Sequence, residues 1–551
     1  MLNRSQLNWR VLWGAIFASL FLVFVFAVSR PLNRKPAQKA APARERKESE
    51  TPAATPAKPA ATISNSTAAA EELGLEIDRA IDESEFAAAR WGVFVMSLRD
   101  GRVLYARDAG RAFTPASNMK LYTTAVALDL LGADYRWRTS VFAESEPGRN
   151  GTITGDLILY GRGAPDLASG TQKERQDSLA QLADDLYKRG VRRVRGSIVG
   201  DESYFRGEPL GYGWLWSDVQ WYYGAEVSAL SINGNEMSLT IMPAVKPGGQ
   251  VEVKFDSPTS YLHITNDTNA VERGLTTTIG ITRGLSDNEV RVWGDFPVGG
   301  RSFQARLAVH KPALWAATLF LDALKARGIN VEGKARSLDA REPKNARSFN
   351  PENAVELASA KSQPLGEIAR ATNKESINLN AELILRTLGK ERGGEAPDPN
   401  PRRNLTRGDE EAGLAVIRLW LERHNISTEN LALHDGSGLS QLDLVTPEAT
   451  VRLLAAMTNS ASAAIFRNSL PIAGRDGTLG GRLRSIATAG RVAAKTGTLI
   501  YVNSLSGYTT SADGEPLAFS IICNDETEKA SSTRVIDQIV ALIASERGSK
   551  P

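Results

Sequence analysis

"TPASNMKLYTTAVALDLLG", residues 114–132, opens with a turn-forming Thr-Pro and then runs on as an apolar stretch long enough for a helix. One charge interrupts its start, Lys120, three residues after Ser117. On a helix those two positions lie on one face about a turn apart. A serine hydroxyl is a poor nucleophile at neutral pH and needs a base beside it. Only four histidines occur in the chain, and none stands in a Ser-His-Asp-like context. A partly desolvated lysine, or one near a second cation, loses proton affinity and can be that base. The helix N-terminus adds free N–H groups and a positive dipole end where an oxyanion would form.

Taken alone, Ser117 could be a helix cap and Lys120 a solvated first-turn residue, because Ser-x-x-Lys arises by chance about once or twice in such a chain. A second motif changes the weighing. Lys495-Thr496-Gly497, followed by Thr498, is the one K-T-G in the chain and lies on a predicted strand, where chance expects roughly 0.1 occurrence. The glycine admits a ligand close to the strand, and the lysine and threonine hydroxyl suit a carboxylate. Between the two motifs a Ser-x-Asn is expected, and it starts at Ser231, Ser286, Ser348 and Ser376. Ser286 reads Ser-Asp-Asn but sits in a turn before an alternating strand. Ser376 and Asn378, in "ATNKESINLNAELILRTLG", fall at a helical lip and are preferred.

Working outward, "RWGVFVMSL" (90–98) and "VLYARD" (103–108) flank an Asp-Gly turn, a hairpin signal. A helix, "AAAEELGLEIDRAIDES" (68–84), precedes them. Near the other end, strands 491–500, 501–510 and 516–525 run consecutively before an amphipathic helix at 532–547. The early hairpin and late strands predict one α/β core, 69–136 with 349–551. The stretch 137–348 reads as a β-rich insertion of short strands, with one clear helix at 311–328.

Composition adds bounds. The 66 basic and 63 acidic residues nearly cancel, so the charge implies no nucleic-acid partner. Cys523, the single cysteine, lies in the apolar run "LAFSIICND" and is expected to be a small core residue. No His/Cys cluster suggests a metal, and no cofactor is expected. Residues 1–30 contain an uncharged apolar run, 11–28, just long enough to span a bilayer. It reads as a signal peptide cut after Ser29 or as an uncleaved membrane anchor. A Pro/Ala-rich linker, 31–68, follows. Arg30, Arg34, Lys35, Lys39 and Arg44 outnumber Arg4 and Arg10, which on charge alone would leave the body in the cytoplasm. The chemistry of the motifs points instead to a periplasmic or extracytoplasmic body.

With these residues in place, the chain resembles the low-molecular-weight class C penicillin-binding proteins, the D-alanyl-D-alanine carboxypeptidase/endopeptidase family. The likeness runs from about residue 80 to 545 through "FTPASNMKLYTTAVALDLLG", "GDESYF", "WLWSDVQWYYGAEVSALSINGN", "SINLNAELILRTLG", "DGSGLS" (435–440), "AGRDGTLGGRL" (473–483) and "AAKTGTL". It implies a penicillin-recognising, β-lactamase-like core split by two small insertion domains. The implied substrates are peptidoglycan stem peptides and cross-links, with β-lactams as covalent inhibitors. Ser117 would attack the carbonyl between two D-alanines, and Lys120 would take its proton. Ser376 would relay a proton toward the leaving amine, and Asn378 would orient the substrate and Lys120. Lys495, Thr496 and Thr498, with Gly497, would bind the terminal carboxylate, and the N–H groups of Ser117 and Thr498 would hold the oxyanion. Asp218 resembles the family acid that meets the ammonium of a diaminopimelate side chain. After "DGSGLS" the family usually carries arginine, where this chain has Gln441; a glutamine cannot supply an arginine's two charged hydrogen bonds. Two other readings share the fold: a serine β-lactamase, which usually lacks so long an insertion, and a non-catalytic cell-wall binding module, which need not keep every motif.

Overall fold

The computed structural model describes residues 68–167, 172–256, 261–341, 350–397, 408–527 and 531–547. The expected leader and nearly all of the linker lie outside the described residues, as does Ser348. Among the described residues no helix is long and apolar enough to cross a membrane.

Five strands form the central sheet, in the order Ala493–Leu499, Val502–Thr510, Pro516–Asn524, Arg90–Ser97, Val103–Arg107. All four neighbouring pairs are antiparallel. The two ends of the chain thus share one sheet, as the early hairpin and late strands predicted. Side-chain alternation sets its two faces. Trp91, Val93 and Val95, with Leu517, Phe519, Ile521 and Cys523, face the helices Ala68–Asp82 and Thr533–Ser545. Phe94 and Met96, with Ala518 and Ile522, face a helical group that includes Met119–Leu130, Asn378–Arg392, Asp409–Arg423 and Pro447–Met457. Cys523 is fully buried in the first layer, as expected. Each fully buried Val, Ile or Phe contributes about 1.5–3 kcal/mol, so a strand with two buried faces is a strong clamp on its register.

The insertion is built on a five-stranded sheet ordered Ala335–Leu338, Ile198–Asp201, Leu157–Tyr160, Arg138–Ala143, Val355–Lys361, with a small three-stranded sheet beside it in sequence. Two further three-stranded sheets hold residues 236–308. Buried side chains from both groups run together as one cluster, from Val141 and Leu182 to Val292 and Leu307. Two expectations are corrected. Val355–Lys361 pairs antiparallel with Arg138–Ala143, so the chain returns to the core after Lys361 rather than at 349. The crossing is closed by Ser362 N donating to Trp137 O at 3.0 Å. The insertion also holds a second helix, Gln172–Lys188. Its buried Leu179, Leu182, Ala183 and Leu186 keep helical spacing, but the charges around them hide it.

Candidate active site

Ser117 sits in a 3-10 turn, Ala116–Asn118, that runs straight into the helix Met119–Leu130. The expected i, i+3 relation holds, although Ser117 itself precedes the α-helix. Ala116, the residue before it, has φ 49°, a left-handed conformation that costs a non-glycine residue about 1–3 kcal/mol. The sheet holds this strained turn in place. Asn118 Nδ2 donates to Ser506 Oγ at 2.9 Å, Ser504 Oγ donates to Pro115 O at 2.7 Å, and Thr114 N donates to Asn524 Oδ1 at 2.8 Å.

Lys120 is completely buried, and its Nζ meets three acceptors: Ser117 Oγ at 3.0 Å, Asn378 Oδ1 at 2.6 Å and Ser437 O at 2.7 Å. Two of these are carbonyl oxygens, which only accept. An amine that gives up one proton keeps two N–H groups for the carbonyls, so its lone pair is left facing Ser117. That geometry is what a base acting on Ser117 requires. Burial pushes its pKa down to about 8, against the opposing pull of Asp435, Glu382 and Asp443.

Asn378, the first residue of its helix, is oriented from both ends of its amide. Oδ1 accepts from Lys120, and Nδ2 donates to Tyr223 O at 2.8 Å, a backbone carbonyl of the insertion. Ser376 occupies the turn before that helix with φ 58°. Its Oγ accepts from Lys495 Nζ at 2.9 Å, and Lys495 also donates to Thr496 O at 2.8 Å. Lys495 is completely buried; burial, and then the Lys120 charge, hold its pKa well below the usual lysine range. The other Ser-x-Asn candidates lie elsewhere in kind: Ser231 donates to Ser228 O at 2.7 Å, and Ser286 precedes strand Glu289–Pro297.

Gly497 explains how the Lys495 strand reaches Ser117. A Cβ there would stand 2.3 Å from Ser504 Oγ, 2.7 Å from Pro115 O and 3.0 Å from Ser117 N. Only glycine lets the strand lie this close to the Ser117 turn. Thr498 Oγ1 donates to Asn503 Oδ1 at 3.0 Å, and Thr496 Oγ1 donates to Thr478 Oγ1 at 2.7 Å.

One part of the site escaped the motif reading. The loop "DGSGLS" carries the carbonyl of Ser437 to Lys120, and Asp435 shapes that loop. Its buried carboxylate accepts from the N–H groups of Ser437 (3.0 Å), Gly438 (2.6 Å) and Ser440 (2.8 Å), from Ser437 Oγ (3.2 Å) and from Trp214 Nε1 (2.9 Å). Glu382 accepts from Gly436 N at 3.1 Å, and its pKa, like that of Asp443, is pushed well up by burial. Gly438, at φ +77°, brings the loop against the Ser117 turn: a Cβ would fall 1.8 Å from Ala116 O. The available signal was an acid followed by two glycines, with no residue type that names a backbone acceptor.

These groups open on a cleft of about 920 Å³, lined by Ser117, Ser376, Asn378 and Thr498 from the core and by Asp218 and Tyr223 from the insertion. Asp218 is half-buried, and desolvation raises its pKa above the ordinary carboxylate value. Tyr223 Oη donates to it at 3.5 Å. Gln441 lines the same cleft, with its backbone N–H on Gly213 O at 3.3 Å. Among the described residues no group of histidines, cysteines and acids could hold a metal ion.

Comparison with known proteins matches the chain to a family. The model of the D-Ala-D-Ala carboxypeptidase 3 (S13) family fits residues 73–546. A D-alanyl-D-alanine carboxypeptidase of Actinomadura sp. is 34% identical over 83% of this chain and 82% of its own length. The D-alanyl-D-alanine carboxypeptidase DacB of Haemophilus influenzae is 25% identical over 78% of this chain and 84% of its own. Among solved structures, penicillin binding protein 4 of Haemophilus influenzae superposes with a TM-score of 0.70 at 23% identity, covering 86% of this chain and 97% of that one. The last likeness concerns the fold, and it bears out an α/β penicillin-recognising core with an insertion.

Proposed function

The chain belongs to the D-Ala-D-Ala carboxypeptidase 3 (S13) family, and from that premise we propose that it cleaves peptidoglycan stem peptides between two terminal D-alanines through an acyl-enzyme on Ser117. It is a serine-type carboxypeptidase of the hydrolase class. The observation that carries the residue assignments is the Lys120 amine, 3.0 Å from Ser117 Oγ, with its other two bonds committed to carbonyls.

The steps follow from the contacts. Lys120 takes the Ser117 proton as Oγ attacks the carbonyl carbon, and the N–H groups of Ser117 and Thr498 receive the negative oxygen. Ser376, held by Lys495, relays the proton that Lys120 took to the departing amine of D-alanine, gaining that proton as it gives up its own. Water then attacks the ester and frees the enzyme. Lys495 and Thr496 receive the terminal carboxylate; the incoming charge favours the ammonium form that burial disfavours. Incubating the purified protein with a peptide ending in D-Ala-D-Ala should release D-alanine. A protein that binds peptidoglycan yet releases none would overturn the proposal. By the same chemistry β-lactams acylate Ser117.

A charged hydrogen bond contributes about 1.5–3 kcal/mol. Lys495→Ala is therefore expected to lower kcat/KM for that peptide by about 10- to 100-fold, chiefly through KM. Unchanged steady-state constants would remove Lys495 from carboxylate binding.

Peptidoglycan lies outside the cytoplasm, which supports an extracytoplasmic folded body, tethered by residues 11–28 if that run is retained. Protease added to intact spheroplasts should digest the body; a body left uncut would contradict this placement.

A further inference from the structure

The motif strand is gripped from outside the sheet at several points, among them Lys495 Nζ on Ser376 Oγ and the 2.7 Å bond from Thr496 Oγ1 to Thr478 Oγ1. Thr478 lines the cleft and belongs to the 3-10 turn Gly477–Leu479. This turn is not a loose loop. Lys374 Nζ donates to both oxygens of Asp476 at 2.7 Å and to Leu470 O at 2.9 Å, and Asp476 Oδ1 also accepts from Ile472 N at 2.9 Å. Lys374 is itself buried. Gly477, at φ +54°, packs on the Lys374 carbonyl, which a Cβ would approach to 2.7 Å. Two residues after Lys374 comes Ser376, the partner of Lys495. One ion pair, between the buried Lys374 and a partly exposed Asp476, thus fixes Thr478 relative to both the Ser376 lip and the motif strand.

A carboxylate only accepts hydrogen bonds, so any hydroxyl that meets it must donate. In the free enzyme the Thr496 proton is already given to Thr478. We propose that Thr478 is a positioning residue for recognition of the substrate's terminal carboxylate. Its hydroxyl accepts from Thr496 in the empty cleft and donates to Thr496 in the complex. The Thr496 proton then turns to the carboxylate without leaving the Thr496 oxygen unpaired on its other side. No covalent bond changes; two O–H groups rotate. The inference rests on the reading of the substrate given above.

The test compares a peptide ending in D-Ala-D-Ala with the same peptide carrying a C-terminal amide. Thr478→Val, which keeps the shape and loses the hydroxyl, should lower kcat/KM for the free carboxylate about 10-fold. The loss should fall on KM with kcat little changed, and the preference for carboxylate over amide should shrink by the same factor. Thr478→Ser should restore both to within about 2-fold, since it returns the hydroxyl. A Thr478→Val enzyme that keeps the wild-type preference, or a Ser variant that fails to rescue, would overturn the inference and leave the peptidase reading standing. A wild-type enzyme indifferent to amidation would overturn the carboxylate reading itself.

Discussion

Ser117→Ala is expected to abolish the covalent adduct with benzylpenicillin and leave the fold intact. Ser117 Oγ accepts one bond, from Lys120, whose other two partners remain, so stability should change by no more than about 1 kcal/mol. Turnover should fall at least about 10⁴-fold, because nucleophile and base act as a unit and loss of one removes the covalent route. Intact mass followed over time after adding the drug measures both sides of the claim. Wild-type protein should carry an adduct that persists for many minutes, with none on the variant. An adduct on Ser117→Ala would mean another nucleophile. A wild-type mass that returns to baseline as drug is consumed would mark a β-lactamase, since fast deacylation separates the two activities on one fold. No wild-type adduct would favour a binding module.

The central sheet was legible because its signals are local. An Asp-Gly turn between alternating runs marks the hairpin, and three consecutive strands at the other end mark its partners. Pairing of Arg138–Ala143 with Val355–Lys361 spans over 200 residues and has no local mark, which is why the return to the core was placed too early. The side chains of the candidate site were legible for a related reason. Ser117, Lys120, Ser376, Asn378 and Lys495 are candidates by their own functional groups, and the structure brings all five together through Lys120 and Lys495. What escaped acts through the backbone or through another residue: the Ser437 carbonyl, the Tyr223 carbonyl and the Asp435 carboxylate that folds a loop around itself. Any residue type supplies a carbonyl, so spacing cannot point to it.

Acylation by benzylpenicillin should rise tenfold per pH unit below about pH 8 and level off above it. The sign follows from the role: the base must be neutral, and burial has brought Lys120 to about 8, so its neutral fraction climbs toward that value and saturates beyond it. At pH 6 the rate should lie about 100-fold below the plateau. Lys495 is also held low, and an inflection alone would not say which lysine titrates. Lys120→Met separates them. Methionine keeps an unbranched apolar stem and removes the amine, so acylation should slow about 10²–10⁴-fold, and the remaining rate should lose its dependence on pH between 7 and 9. Removing that charge also removes one cause of the depressed Lys495, so carboxylate binding should be unchanged or tighter while the chemical step fails. A variant that acylates slowly but keeps the inflection near pH 8 would move the titration to Lys495 or another group. A variant that acylates at the wild-type rate would show that the Ser117 proton leaves by a different path.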